Sequence, residues 1–172
     1  MQHDDIAKKY PQLMENVLLI LHELQKNNLQ NYLTGKDLIW AADYLNVTYS
    51  QIYGLATYYT LFSLKPRGRH IIRVCRSPVC QMIGAGRIFE QIKRILNVNF
   101  GETTSDGLFT LESTECIGQC DRAPCLSVDD SIYGGVQPSG IEDIFKIYKK
   151  NRIRNSHRDR RMPNRNPKCR TH

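Results

Sequence analysis

The sequence predicts an α+β protein, with an N-terminal three-helix region followed by a small mixed domain built around four cysteines. Three observations predict it. Apolar residues recur at helical spacing through the first third of the chain. From Gly68 onward the period changes to short β-branched or alternating runs. Four cysteines stand in two tight pairs, Cys75-x₄-Cys80 and Cys116-x₃-Cys120, each beginning where one of those runs ends.

The elements follow in order. Leu13, Val17, Leu18, Leu21 and Leu24 keep helical spacing and predict a helix over 12–26, ended by Asn27-Asn28. Thr34 with Asp37 three residues on caps a second helix that turns Leu38, Ile39, Ala42 and Leu45 inward. Thr48-x-x-Gln51 is a capping box opening a third helix through residue 61, and Pro66 and Gly68 close the region. The run 70–75 reads as a strand delivering Cys75, and 84–96 as a helix with Ile88, Ile92 and Ile95 or Leu96 on one face. Residues 108–115 alternate, as a strand delivering Cys116. Residues 125–128 and 132–136 flank Asp129-Asp130-Ser131 as a hairpin, and Pro138 starts a last helix with Ile141, Ile144, Phe145 and Tyr148 inward. The expected division is 1–67 helical, 68–148 cysteine-bearing, and 149–172 a tail. Two strands ending in cysteine pairs let two loops converge at one end of a sheet.

Charge separates the tail from the rest. Lys149 to His172 holds ten Lys/Arg and one acid, Asp159, for a charge of +9. The first 148 residues hold fourteen basic and sixteen acidic groups, for −2, so the net +7 resides in the tail. Pro163, Pro167 and several Asn interrupt any helix there, and the tail is expected to be disordered. The tight turn between the second and third helices suggests a DNA-reading helix pair, but residues 49–61 contain no Lys or Arg to neutralise phosphates. Nucleic-acid binding is therefore not expected. No apolar run approaches the ~20 residues of a membrane span, and no phosphate-binding glycine loop is present. The acidic start, Met1-Gln2-His3-Asp4-Asp5, lacks the layout of a secretory signal. The expected location is the cytoplasm, where clustered cysteines more often bind metal than form disulfides.

Four thiolates suit either Zn²⁺ or an iron–sulfur cluster. Loops of four and three residues are longer than the usual C-x₂-C zinc knuckle and suit ligands for two irons held apart by sulfides. Spacing alone favours iron–sulfur, and leaves open a zinc-stabilised interaction module or a set of reduced, disulfide-capable thiols. His70, five residues before Cys75 on the strand, is poorly placed for a two-His Rieske centre.

The motifs then match a family. Cys75-Arg-Ser-Pro-Val-Cys80 with Gly84-Ala85, Asp106-Gly-Leu-Phe-Thr-Leu111, Cys116-Ile-Gly-Gln-Cys120 and Ala123-Pro124 together resemble the thioredoxin-like [2Fe–2S] ferredoxins. That family includes matching small subunits of NADH–quinone oxidoreductase, of NAD-linked hydrogenases and of formate dehydrogenases. Ala56-Thr57-Tyr58-Tyr59, Phe62 and Lys65-Pro66 are similar to its N-terminal helical region. The resemblance implies a thioredoxin-like [2Fe–2S] ferredoxin domain, one [2Fe–2S] cluster, and Cys75, Cys80, Cys116 and Cys120 as its ligands, two per iron. It also implies partners: a flavoprotein subunit carrying FMN and NAD(H), and a larger iron–sulfur subunit. On this reading the chain transfers electrons and is not catalytic alone.

The other singled-out residues carry plainer readings. Cys125 reads as a small buried hydrophobe and Cys169 as incidental; Trp40 and the tyrosines read as core or interface. Arg73, Arg76 and Arg122 flank the ligands, as solvated charge or as cations that would favour the reduced cluster.

Overall fold

The computed structural model describes residues 2–150. The tail expected as disordered lies outside these residues, apart from Lys149 and Lys150 at the end of the last helix. The helical region opens with α1 (Gln2–Lys9), which hydrophobic spacing did not signal, because Ile6 is its only buried core residue. Asp4 and Asp5 in its first turn and Lys8 and Lys9 in its last complement the helix dipole.

The helix expected over 12–26 is a 3-10 turn (Met14–Asn16) leading into α2 (Val17–Asn27). Val17, Ile20, Leu21 and Leu24 are buried, while Leu13 and Leu18 face out. Helix α3 (Gly35–Leu45) starts at the expected box: Asp37 N–H donates to Thr34 Oγ1 at 3.2 Å and Thr34 N–H to Asp37 Oδ2 at 2.9 Å. Its inward set is Leu38, Ala41, Ala42 and Leu45; Ile39, one residue round from Leu38, is exposed. Helix α4 (Tyr49–Tyr58) has its Thr48/Gln51 box and stops three residues before the expected 61. The chain then turns so that Phe62 is buried and Leu61 exposed. Buried Gln25 holds this turn: its Nε2 donates to Leu61 O at 3.0 Å and its Oε1 accepts Ser63 N–H at 2.8 Å.

The second half is a four-stranded sheet in the order β2-β1-β3-β4. Strand β1 (His70–Cys75) leads through α5 (Pro78–Ile83) and α6 (Ala85–Leu96) to β2 (Phe109–Thr114), parallel to it with Cys75 opposite Thr114. Parallel pairing needs such a crossover. β3 (Leu126–Val128) returns antiparallel to β1 and forms a hairpin with β4 (Ser131–Tyr133). Asp129 adopts the left-handed conformation in the turn. A 3-10 turn (Pro138–Gly140) precedes α7 (Ile141–Lys150).

Strand β2 does not show the alternation its sequence suggests. Phe109, Thr110 and Leu111 are all buried, as in a strand covered on both faces. Thr110 is accommodated because its Oγ1 accepts Gly68 N–H at 2.5 Å and hydrogen-bonds Thr103 Oγ1 at 2.7 Å.

One hydrophobic cluster runs from Ile6 to Phe62 and a second from Ile72 to Tyr148. A polar clasp joins them. Arg67 Nε and Nη2 donate to Asn31 O at 2.9 and 2.7 Å, and Nη1 to Glu112 Oε1 at 3.1 Å. Glu112 Oε2 also accepts from Arg73 Nε at 3.1 Å, and Asn31 Nδ2 donates to Gly68 O and Arg69 O. No helix among the described residues is long and apolar enough to cross a membrane.

Candidate metal centre

Because β1 and β2 are parallel and in register, both deliver their following loops to the same end of the sheet. Cys75 closes β1 and is buried, and Cys80 lies in α5, also buried. Ser77-Pro78 starts that helix, with Pro at its first position, where its missing N–H costs nothing. This short helix, which starts within the C-x₄-C spacing and runs past Cys80 to Ile83, was not expected; the Ser-Pro pair is its available signal. Cys116 and Cys120 occupy the loop after β2 and are exposed, with Cys120 beginning a 3-10 turn (Cys120–Arg122).

The two thiols of the second pair are 3.3 Å apart, Sγ to Sγ. Gly118, at φ +81°, turns its N–H back to Cys116 Sγ at 3.4 Å, a backbone conformation that favours glycine. In the first pair, Cys75 Sγ lies 3.4 Å from Ser77 Oγ. Burial pushes the Cys75 thiol up, but hydrogen bonds from Ser77, from Cys80 and from the Ile117 backbone outweigh it and hold it below its ordinary value. The Ile117 contact ties the first loop to the second. The hydrogen bond and charge of Cys116, then burial, then the charges of Cys80 and Cys75 raise the Cys120 thiol. All four sequence-predicted thiols therefore meet at one end of the sheet, drawn from two loops. Among the described residues, no three or more His, Cys, Asp or Glu form a group suited to a single metal ion. A set of four thiols in two pairs, with amides and a hydroxyl aimed at sulfur, fits the donor chemistry of a [2Fe–2S] cluster.

A fifth cysteine joins them. β3 starts at the end where β1 finishes, so Cys125 sits beside Cys75, whose N–H donates to Cys125 O at 3.1 Å. The Cys125 thiol donates toward Gln119 O and Arg122 O at 3.1 and 3.2 Å. Burial, helped by the neighbouring Cys80, Cys75 and Cys120, pushes it up to about 11. Local sequence signals burial of Cys125 but not this placement, which comes from strand pairing.

His70 lies at the opposite end of β1, its Nδ1 2.7 Å from Asp129 Oδ2, away from the thiols. The flanking arginines differ from one another. Arg73 is bound to Glu112, and Arg76 donates twice to Glu115 Oε1 at 3.0 and 2.8 Å. Arg122 is only loosely paired, 3.8 Å from Asp121. Val79, Met82 and Ile83 expose apolar surface on α5 next to Cys80.

The sequence matches the family described as thioredoxin-like [2Fe-2S] ferredoxin over residues 3–149. It is 41% identical over 104 residues to an NADH-quinone oxidoreductase subunit of Pseudomonas aeruginosa, covering 60% of this chain and 63% of that protein. It is 31% identical over 138 residues to NADP-reducing hydrogenase subunit HndA of Solidesulfovibrio fructosivorans, covering 80% of each. The chain thus spans less than two thirds of the Pseudomonas relative. Among solved structures, an NAD+-reducing [NiFe]-hydrogenase in the air-oxidised state shares the fold, with a TM-score of 0.71 and 17% identity. That match covers 82% of this chain and 24% of the hydrogenase chain. Four motif cysteines gathered by parallel strands, and a match over nearly all the described residues, lead to one conclusion: the chain belongs to the thioredoxin-like [2Fe–2S] ferredoxin family.

Proposed function

We propose that the chain is the iron–sulfur electron-transfer subunit of a multisubunit NADH-linked oxidoreductase. It exchanges single electrons with the FMN of a partner flavoprotein subunit that binds NAD(H), beside a larger iron–sulfur subunit. The observation that carries the reading is the convergence of two thiol pairs, Cys75/Cys80 and Cys116/Cys120, at the ends of parallel β1 and β2. Cys75, Cys80, Cys116 and Cys120 are the ligands, and the bound cluster supplies the one-electron chemistry. The chain's own contribution is ligation, burial and orientation. Burial of Cys75 and Cys80 keeps water from one side, while exposure of Cys116 and Cys120 leaves the other open to a partner. The exposed Val79, Met82 and Ile83 on α5, beside Cys80, add apolar surface for docking.

Anaerobically purified protein is expected to be brown, to bleach with dithionite, and to hold iron and acid-labile sulfide in equal amounts. A colourless protein with one tightly held zinc would overturn the reading in favour of an interaction module. Arg122 is the flanking cation with the loosest carboxylate partner, so its charge is the most available to favour the reduced cluster. Arg122→Glu is expected to lower the midpoint potential in a redox titration; an unchanged midpoint would show that its charge does not act on the cluster.

A further inference from the structure

We propose that Gly134 and Cys125 are positioning residues for the metal centre: they fix the Arg122 end of the loop that carries Cys116 and Cys120. The proposal rests on the ligand assignment above. The loop is exposed at both cysteines, and its own turn contributes Arg122 N–H to Gln119 O at 3.1 Å and Ala123 N–H to Cys120 O at 3.3 Å. These bonds shape the turn, but only contacts from other strands can fix its place on the protein.

Those contacts converge on Arg122, two residues from Cys120. Its carbonyl oxygen accepts Gly135 N–H at 2.5 Å and lies 3.2 Å from the Cys125 thiol, which also reaches Gln119 O. One buried thiol thus bridges the carbonyls on either side of Cys120-Asp121. From the other side, the chain leaving β4 lies against the same residue. A Cβ on Gly134 would stand 2.6 Å from Arg122 Cβ and 3.1 Å from Arg122 O. Arg122 Cβ is fixed to the backbone and cannot swing aside as a side-chain tip would, so any larger residue at 134 must displace the loop. The missing side chain lets the hairpin press the loop down, and Cys125 holds it from below.

The test uses the full chain, loaded anaerobically with iron and sulfide. Iron release to a chelator is followed by visible absorption, and amide hydrogen exchange of residues 116–123 is measured in the metal-free chain. Gly134→Ala is expected to release iron about tenfold faster, the loss typical of groups that orient metal ligands. Combining it with Arg122→Gly, which removes the clashing Cβ, should bring release to within about twofold of Arg122→Gly alone, as for sites coupled by direct contact; independent sites would add the full effect. Cys125→Val, which puts methyl groups in place of the donor, should speed release and exchange, and Cys125→Ser, which keeps a donor, should restore both. Should Gly134→Ala not fold, the Cys125 pair decides alone. Release and exchange like wild type in both Gly134→Ala and Cys125→Val would overturn the proposal. So would acceleration that Arg122→Gly and Cys125→Ser fail to relieve. A wild-type chain that takes up no iron–sulfur cluster overturns the ligand assignment instead, while exchange in the metal-free chain still tests the anchor.

Discussion

Cys116→Ala should reduce the iron and sulfide content of the protein to near zero while leaving its far-UV circular dichroism unchanged. Cys116 is exposed and lies in the loop after β2, so truncation removes a sulfur without opening a cavity in the core. It also removes the partner that sits 3.3 Å from Cys120 and the acceptor of Gly118 N–H. An iron deprived of one thiolate is open to water and to chelators, and the remaining ligands hold it poorly. Because a bound group stabilises only the folded chain, the melting temperature should fall to that of the metal-free wild type. Cys75→Ala should lose the iron as well, with an added stability cost because Cys75 is 1% exposed and part of the core. Unchanged iron content and visible spectrum in Cys116→Ala would refute its assignment as a ligand.

The second large effect is expected far from the thiols. Arg67→Ala should destabilise the chain by about 3 kcal/mol, the low end of the cost of breaking a buried ion pair. The Arg67 side chain is 7% exposed, and burial depresses its pKa while the charge of Glu112 and its hydrogen bond oppose that shift. Removing it strands Asn31 O, which two of its nitrogens reach, and leaves Glu112 with Arg73 as its remaining cation. That surviving pair is why the low end applies. The measurement is the urea midpoint of the metal-free protein, with wild type alongside. Arg67→Lys should recover only part of the loss, since an ammonium cannot reach Asn31 O and Glu112 with a planar fork. A midpoint unchanged in Arg67→Ala would show that the clasp between the helical region and the sheet contributes little.

Elements with a local signature were legible in the sequence. The boxes at Thr34/Asp37 and Thr48/Gln51 begin their helices as expected, because a cap is written within four residues. The strand 70–75 was found with its bounds, since a β-branched run has few alternatives. Elements without an apolar stripe carry no periodic signal: α1 has Ile6 as its buried core residue, and α5 starts within the first cysteine loop and runs to Ile83. Ile39 was placed inward because it is apolar, whereas the buried face is set by Leu38, Ala41, Ala42 and Leu45.

The same division holds at the site. By itself the sequence pointed to a four-thiolate centre, and its combined motifs to the iron–sulfur family, because thiol number, loop spacing and flanking Gly and Pro are local and are written in order along the chain. It named Cys75, Cys80, Cys116 and Cys120 and singled out the arginines around them. Only the tertiary structure decided that parallel pairing of β1 with β2 brings the two loops to one end. It also decided that Glu112 and Glu115 engage Arg73 and Arg76 while Arg122 stays loosely held, and that Cys125 and Gly134 bear on the ligand loop. Those relations join residues up to tens of positions apart, and strand register sets their distances, which no local pattern encodes.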